Sequence, residues 1–166
     1  MSVLRRWSTV VAASLLLLGP AGLTAARADG TPPPGGERAG ADPDYAAGVK
    51  AIKAEQFAAA IPLLERAVAR DALSADAHNW LAYAVRRNGD PARSIPIYQK
   101  ALALDPKHRG AHEYIGEAYL TLGNLTKARE HLARLDSLCF LPCSEYTDLK
   151  KAVEQYEKRR KSSTTR

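Results

Sequence analysis

From Pro43 onward, apolar residues return every three or four positions, the spacing that gathers them on one face of a helix. The pattern breaks near Glu55-Gln56, Asp71–Ser74, Asn88-Gly89-Asp90, Asp105–His108 and Gly123-Asn124, where turn-forming residues cluster. These breaks predict six helices of about 12–14 residues joined by tight turns. A further stretch, SEYTDLKKAVEQYEKRRK, carries Tyr146, Leu149, Val153 and Tyr156 at i, i+3, i+7 and i+10, one apolar stripe on an otherwise charged helix. Ser144 stands where an N-cap is expected, though Thr147 is not the Glu of a capping box. Strand-type alternation is absent, so the expected fold class is all-α.

The helical pattern also repeats. ARSIPIYQKALALDP, residues 92–106, stands 34 residues after AAAIPLLERAVARDA, residues 58–72, with identical pairs that include Ile61/Ile95, Pro62/Pro96, Ala67/Ala101 and Asp71/Asp105. With Ala41, Ala75 and Arg109 as first positions of three units, the eighth positions are Gly48, Ala82 and Gly116, and the twentieth are Ala60, Ser94 and Ala128. Both sets are small, as close approach of two helices requires. The twenty-fourth positions, Leu64, Tyr98 and Leu132, are large enough to fill the remaining gap, and the fifteenth, Glu55, Gly89 and Gly123, mark the turn. Pro106 closes the second unit.

A helix–turn–helix unit with this period resembles the tetratricopeptide repeat. The resemblance covers residues 41–142 in three units, 41–74, 75–108 and 109–142. It implies an α-α superhelix, with a capping helix over 143–161 to cover the last exposed face. Some positions depart from the family. Asp44, His78 and His112 replace the usual Trp at position four, Ala72 replaces the closing proline of the first unit, and Leu135 replaces a small residue at position twenty-seven. Pro62 and Pro96 fall at position twenty-two, expected near the start of each second helix, where the first N–H groups lack intrahelical partners and a proline costs little.

In this family the concave groove is lined mostly by positions two, five, nine, twelve and thirteen of the first helices. Carried onto this chain, they are Tyr45, Val49, Ile52 and Lys53, then Asp76, Asn79, Tyr83, Arg86 and Arg87, then Glu113, Glu117, Leu120 and Thr121. The resemblance therefore implies a protein-interaction module that holds a peptide or helix of a partner. The set is polar, aromatic and of both signs, suited to hydrogen-bonding a peptide backbone; the plainer reading is a set of solvated helix faces. Relatives that grip a C-terminal carboxylate use basic and Asn side chains where this chain has Tyr45, Val49, Trp80, Gly110 and Tyr114, so that clamp is missing.

No Ser/His/Asp set, paired carboxylates or Gly-rich phosphate loop stands out, so no enzyme activity, cofactor or metal is expected. His78 and His112 replace packing aromatics one repeat apart, roughly ~10 Å between neighbouring helices, too far for joint metal ligation. His108 is placed in a loop and His131 on a second helix. Cys139 and Cys143 are the only cysteines, between the third unit and the capping helix. A disulfide fixing the angle of that helix is the first reading. The alternative is a thiol pair for redox, metal or haem delivery, although the spacing is neither C-x-x-C nor C-x-x-C-H.

The first residues set the address. Arg5 and Arg6, then VVAASLLLLGPAGLTA, then Ala26-Arg27-Ala28 are the parts of a secretory signal peptide over 1–28, with cleavage expected after Ala28. They imply a periplasmic or secreted location, with no stable membrane insertion after cleavage and another envelope or secreted protein as partner. Residues 29–42, DGTPPPGGERAGAD, read as a flexible linker. Loss of Arg5, Arg6 and Arg27 lowers the net charge from +6 to +3. The tail, residues 157–166, carries +4 and the body before it −1, with 162–166 expected to be disordered, so the basicity is terminal and no nucleic-acid partner is expected. Self-association through an apolar edge is a third reading.

Overall fold

The computed structural model describes residues 42–164, and the described residues form seven helices: α1 (Pro43–Lys53), α2 (Phe57–Arg70), α3 (Ala75–Arg87), α4 (Pro91–Leu104), α5 (Arg109–Thr121), α6 (Leu125–Leu138) and α7 (Ser144–Thr164). The expected signal peptide, the linker up to residue 41 and the final two residues lie outside the described residues.

Local chemistry sets the helix starts. Asp42 Oδ1 accepts from the N–H groups of Asp44 and Tyr45 at 2.8 and 3.0 Å, and Ser74 Oγ accepts from Ala77 N–H at 3.1 Å. Asp90 and Asn124 cap α4 and α6 in the same way, through Arg93 N–H at 2.9 Å and Lys127 N–H at 3.1 Å. The turn at position fifteen is left-handed in all three units, with φ of 56° at Glu55, 100° at Gly89 and 80° at Gly123. Glycine adopts that conformation freely, whereas Glu55 bears a steric cost.

The small positions work by steric necessity. A Cβ added at Gly48 would stand 2.6 Å from Leu64 Cγ, so only glycine lets α2 seat its leucine against α1. In the middle unit Ala82 and Tyr98 are both fully buried in one apolar cluster, and Ala60, Ser94 and Ala128 at position twenty are fully buried too. The third unit differs from the sequence reading. The side chain against Gly116 is Leu149 of α7, 2.6 Å from where a Cβ would lie, whereas Leu132, the expected plug, is only half-buried. Leu135 is large because it is fully buried beside Leu120, Leu149 and Val153. Helix α7 thus packs on both α5 and α6, and more extensively on α5, whereas the first helices of the other units rest mainly on the second helix before them.

Three other expectations are corrected. Pro62 and Pro96 are each the sixth residue of their helix, beyond the donors that lack partners anyway, so each removes one i→i−4 bond. The carbonyls they leave belong to Ala58 and Ala92, and all four residues are exposed, so water serves the freed groups. Ser144 is the first residue of α7 and not its cap; Cys143 O accepts Thr147 N–H at 3.0 Å. Helix α7 also continues through Thr164, so residues 162–164 of the expected disordered tail are helical.

A disulfide joins Cys139 and Cys143 across the α6–α7 turn, with Cα atoms 5.9 Å apart. It holds up Phe140 and Leu141, both exposed. Among the described residues no helix is long and apolar enough to cross a membrane.

Candidate peptide-binding groove

The first helices α1, α3 and α5 bring most of the expected groove residues to one face, and Tyr83 stands at its centre. Its ring centroid lies 4.8 Å from that of Tyr114, 5.7 Å from Trp80 and 6.2 Å from Phe57, the last two edge-on. Two guanidinium groups complete the cluster. Arg87 donates to the Tyr83 hydroxyl at 2.6 Å and lies 4.5 Å from the Phe57 centroid. Arg86 sits over both Tyr83 and Tyr114, at 5.3 and 5.7 Å, and pairs with Glu117 at 2.8 Å.

Around this centre the polar residues are deeply placed. Asn79 is 4 % exposed, and its Oδ1 is buried without a hydrogen-bond partner among the described residues, whereas the buried Arg86 guanidinium and Tyr98 hydroxyl interact with one another. Buried polar atoms are almost always paired in folded proteins, so the Asn79 oxygen is unusual. Glu113 is 9 % exposed and also makes no hydrogen bond or ion pair among the described residues. Burial, reinforced by Glu117, Asp148 and Glu145, pushes its carboxyl up to about 8. Burial likewise raises the pKa of Tyr114, to about 12, with Glu113 the next cause.

The remaining expected residues are less central. Tyr45 and Val49 are half-buried at the α1 end, with Tyr45 raised by burial and by Asp76. Leu120 belongs mainly to the C-terminal apolar cluster, although it also lines a cavity of about 240 Å³ with Arg86, Glu117, Thr121, Ala152, Gln155 and Arg159. The last three come from α7, which the sequence pattern marks as a cover only. Asp148, Ala152, Gln155 and Arg159 succeed one another at four, three and four residues, a second stripe beside the apolar one. Extending the repeat register one unit further would have found Gln155 at position thirteen. Phe57, Trp80 and Tyr114 are not among the expected groove residues: Phe57 opens a second helix, and Trp80 and Tyr114 stand at position six, considered only for the missing carboxylate clamp.

The histidines are bound into the frame more closely than their spacing suggests. His108 is the N-cap of α5, Nδ1 accepting from Ala111 N–H at 3.1 Å and Nε2 facing Asp76 at 3.0 Å. His112 Nε2–H donates to Pro106 O at 3.1 Å, which leaves Nδ1 to accept from His131 Nδ1–H at 2.9 Å. Burial, and then His112 itself, lower His131 to about 4. This contact joins α5 to α6 and is invisible in the sequence, because position four of one helix and position twenty-three of its neighbour meet only once the two are packed. Among the described residues no three His, Cys, Asp or Glu side chains are grouped to hold a metal ion.

Helix pairs of constant register, small residues at fixed positions and a shared face of first helices now meet a match to the tetratricopeptide-repeat family over residues 45–108 and 86–138, more than half of the chain. The chain belongs to the tetratricopeptide-repeat family. Solved structures agree with this all-α superhelix. MamA (residue 41 to the end) of Desulfovibrio magneticus RS-1 is 28% identical with a TM-score of 0.56, over 57% of this chain and 54% of that one. The chain thus spans about half the length of that protein. Two more distant structures share the fold. The type III secretion translocator chaperone SycD of Yersinia enterocolitica is 16% identical with a TM-score of 0.64, over 71% of this chain and 83% of that one. The second TPR domain of human RPAP3, solved with an HSP70 peptide, is 22% identical with a TM-score of 0.60, over 66% and 91%. No curated protein matches the chain.

Proposed function

We propose that this chain is a non-enzymatic adaptor whose groove holds a peptide or helix of another protein, and that it works in the bacterial envelope or outside the cell. The observation that carries the reading is the convergence of Tyr83, Trp80 and Tyr114 with Arg86 and with Asn79, whose buried Oδ1 has no hydrogen-bond partner among the described residues. Leaving such an atom unpaired costs on the order of 1–3 kcal/mol, a cost that a bound peptide would relieve. In support, SycD has been solved with a peptide of the translocator YopD, and RPAP3 repeats with HSP90 and HSP70 peptides. The exported address rests on the signal-like residues 1–28 alone.

The test is capture of a partner from envelope fractions by the chain from Asp29 onward, compared with an Asn79→Ala, Tyr83→Ala, Glu117→Ala variant of unchanged circular dichroism. A partner held by the first and lost by the second is the expected result. A variant that keeps every partner removes the groove from the argument. We read Cys139–Cys143 as a structural staple, its pairing in the α6–α7 turn favouring this over redox or metal delivery. Free-thiol titration of exported protein should find no reactive thiol; thiols that cycle readily would restore the rival reading.

A further inference from the structure

The groove is not uniform along its length, and its α5–α7 end is built from acceptors. Glu113 is nine-tenths buried and unpaired among the described residues. Asn79 reaches the same face of α5: its Nδ2 lies 3.7 Å from where a Gly110 Cβ would stand, one turn before Glu113, and its Oδ1 has no partner among the described residues. The charged groups around Glu113 are mostly spent or acidic. Arg86 from α3 is committed to Glu117 at 2.8 Å, and Glu145 from α7 pairs with Arg109 at 3.5 Å. Asp148 from α7 makes no ion pair among the described residues, and Tyr114 from α5 completes the surround. Arg159 lies eleven residues beyond Asp148 on α7, roughly 16 Å along the axis, beside Glu117 and Thr121.

We propose that this end of the groove receives a basic side chain, Lys or Arg, of the partner segment, with Glu113 as its counter-ion and Asn79 Oδ1 as a second acceptor. The proposal rests on the groove reading above and names the chemistry of its occupant. A cation offers several N–H donors to acceptors that lack them, and its charge offsets the mutual repulsion of four carboxylates. An acidic segment or a C-terminal carboxylate would add to that repulsion. Because the empty site keeps Glu113 protonated up to about pH 8, seating a cation expels that proton, and the equilibrium depends on pH.

The probes are short peptides of Gly, Ser, Leu and Tyr, alike except for one central Arg, Lys, Gln or Glu, with binding measured by fluorescence anisotropy from pH 6 to 8.5. The Arg and Lys peptides should bind at least tenfold more tightly than the Gln peptide at pH 8. Their advantage should grow with pH by up to tenfold per unit below pH 8, then level off. In Glu113→Gln, a near-isosteric change, the advantage should fall below twofold and the pH slope should disappear. Equal affinity for the Arg and Gln peptides, both lost in Tyr83→Ala, overturns the basic-site proposal and leaves the groove standing. Tightest binding of the Glu peptide overturns it as well. Failure of every peptide to bind at millimolar concentration overturns both.

Discussion

The two ends of this solenoid solve one packing problem with different material. At the N-terminal end, Gly48 of α1 admits Leu64 from the second helix of its own unit; at the C-terminal end, Gly116 of α5 admits Leu149 from α7. The first unit is closed by its own second helix, and the third is closed by a helix outside it. Helix α7 therefore does more than cover an apolar face: it lends Ala152, Gln155 and Arg159 to the cavity beside the groove. The ends also differ in charge. At the first, Arg66 and Arg70 of α2 pair with Asp42 and Asp44, holding both carboxyls well below their usual range. At the last, Glu113 has no such partner among the described residues.

The largest effects should come from the two leucines. Leu64→Ala and Leu149→Ala each remove a fully buried side chain, and each should cost about 2–5 kcal/mol in denaturant unfolding. Hydrogen exchange should place the loss in α1–α2 for the first and in α5–α7 for the second. A cost below about 1 kcal/mol for Leu149→Ala would show α7 to be a loose attachment. Adding Gly116→Ala to Leu149→Ala should recover part of the loss, since the new Cβ then meets a vacated space.

Next comes the staple, which sits at the C-terminal end. Replacing Cys139 and Cys143 by Ser should lower stability by about 2 kcal/mol, the value for so short a loop, with faster exchange confined to α7. Faster exchange throughout the chain would mean that the bond does not act on α7 alone.

The ends should also part company on pH. Glu113 has a folded pKa raised from 4.5 to about 8, so its contribution is complete below pH 4.5 and lost as pH rises toward 8. His131 is lowered from 6.5 to about 4, so its contribution is present above pH 6.5 and lost as pH falls toward 4. The two oppose one another in the middle of the range. Between pH 6.5 and 8 only Glu113 acts, and stability should fall by up to about 1.4 kcal/mol per unit, a slope that Glu113→Gln removes. The N-terminal end should respond only in acid, as Asp44, lowered to about 2, loses its pairing with Arg66 and Arg70. The smallest change is at the first turn. Glu55→Gly, matching Gly89 and Gly123, should stabilise by about 0.5–1 kcal/mol in thermal unfolding.

Much of the fold is legible because repetition reports it. The small residues at positions eight and twenty recur wherever two helices must approach, and the turn at position fifteen recurs because the backbone there is left-handed. Register places the prolines in the repeat but not their depth in the helix. Helix starts are set by caps such as Asp90, which the apolar pattern does not display. Of the groove, the central residues Asn79, Tyr83 and Arg86 can be named from register, whereas Phe57, Trp80 and Tyr114 join them only after the helices are packed.

The sequence by itself determined the period, the register and the positions where side chains must be small, because these arise from helical geometry over short stretches of chain. Tertiary structure alone decided which leucine fills Gly116, that His112 meets His131, and that Glu113 is buried with no partner among the described residues. Those outcomes depend on how elements far apart in the chain are superposed, and a shift of one helical turn in α7 would rewrite them without altering the repeat.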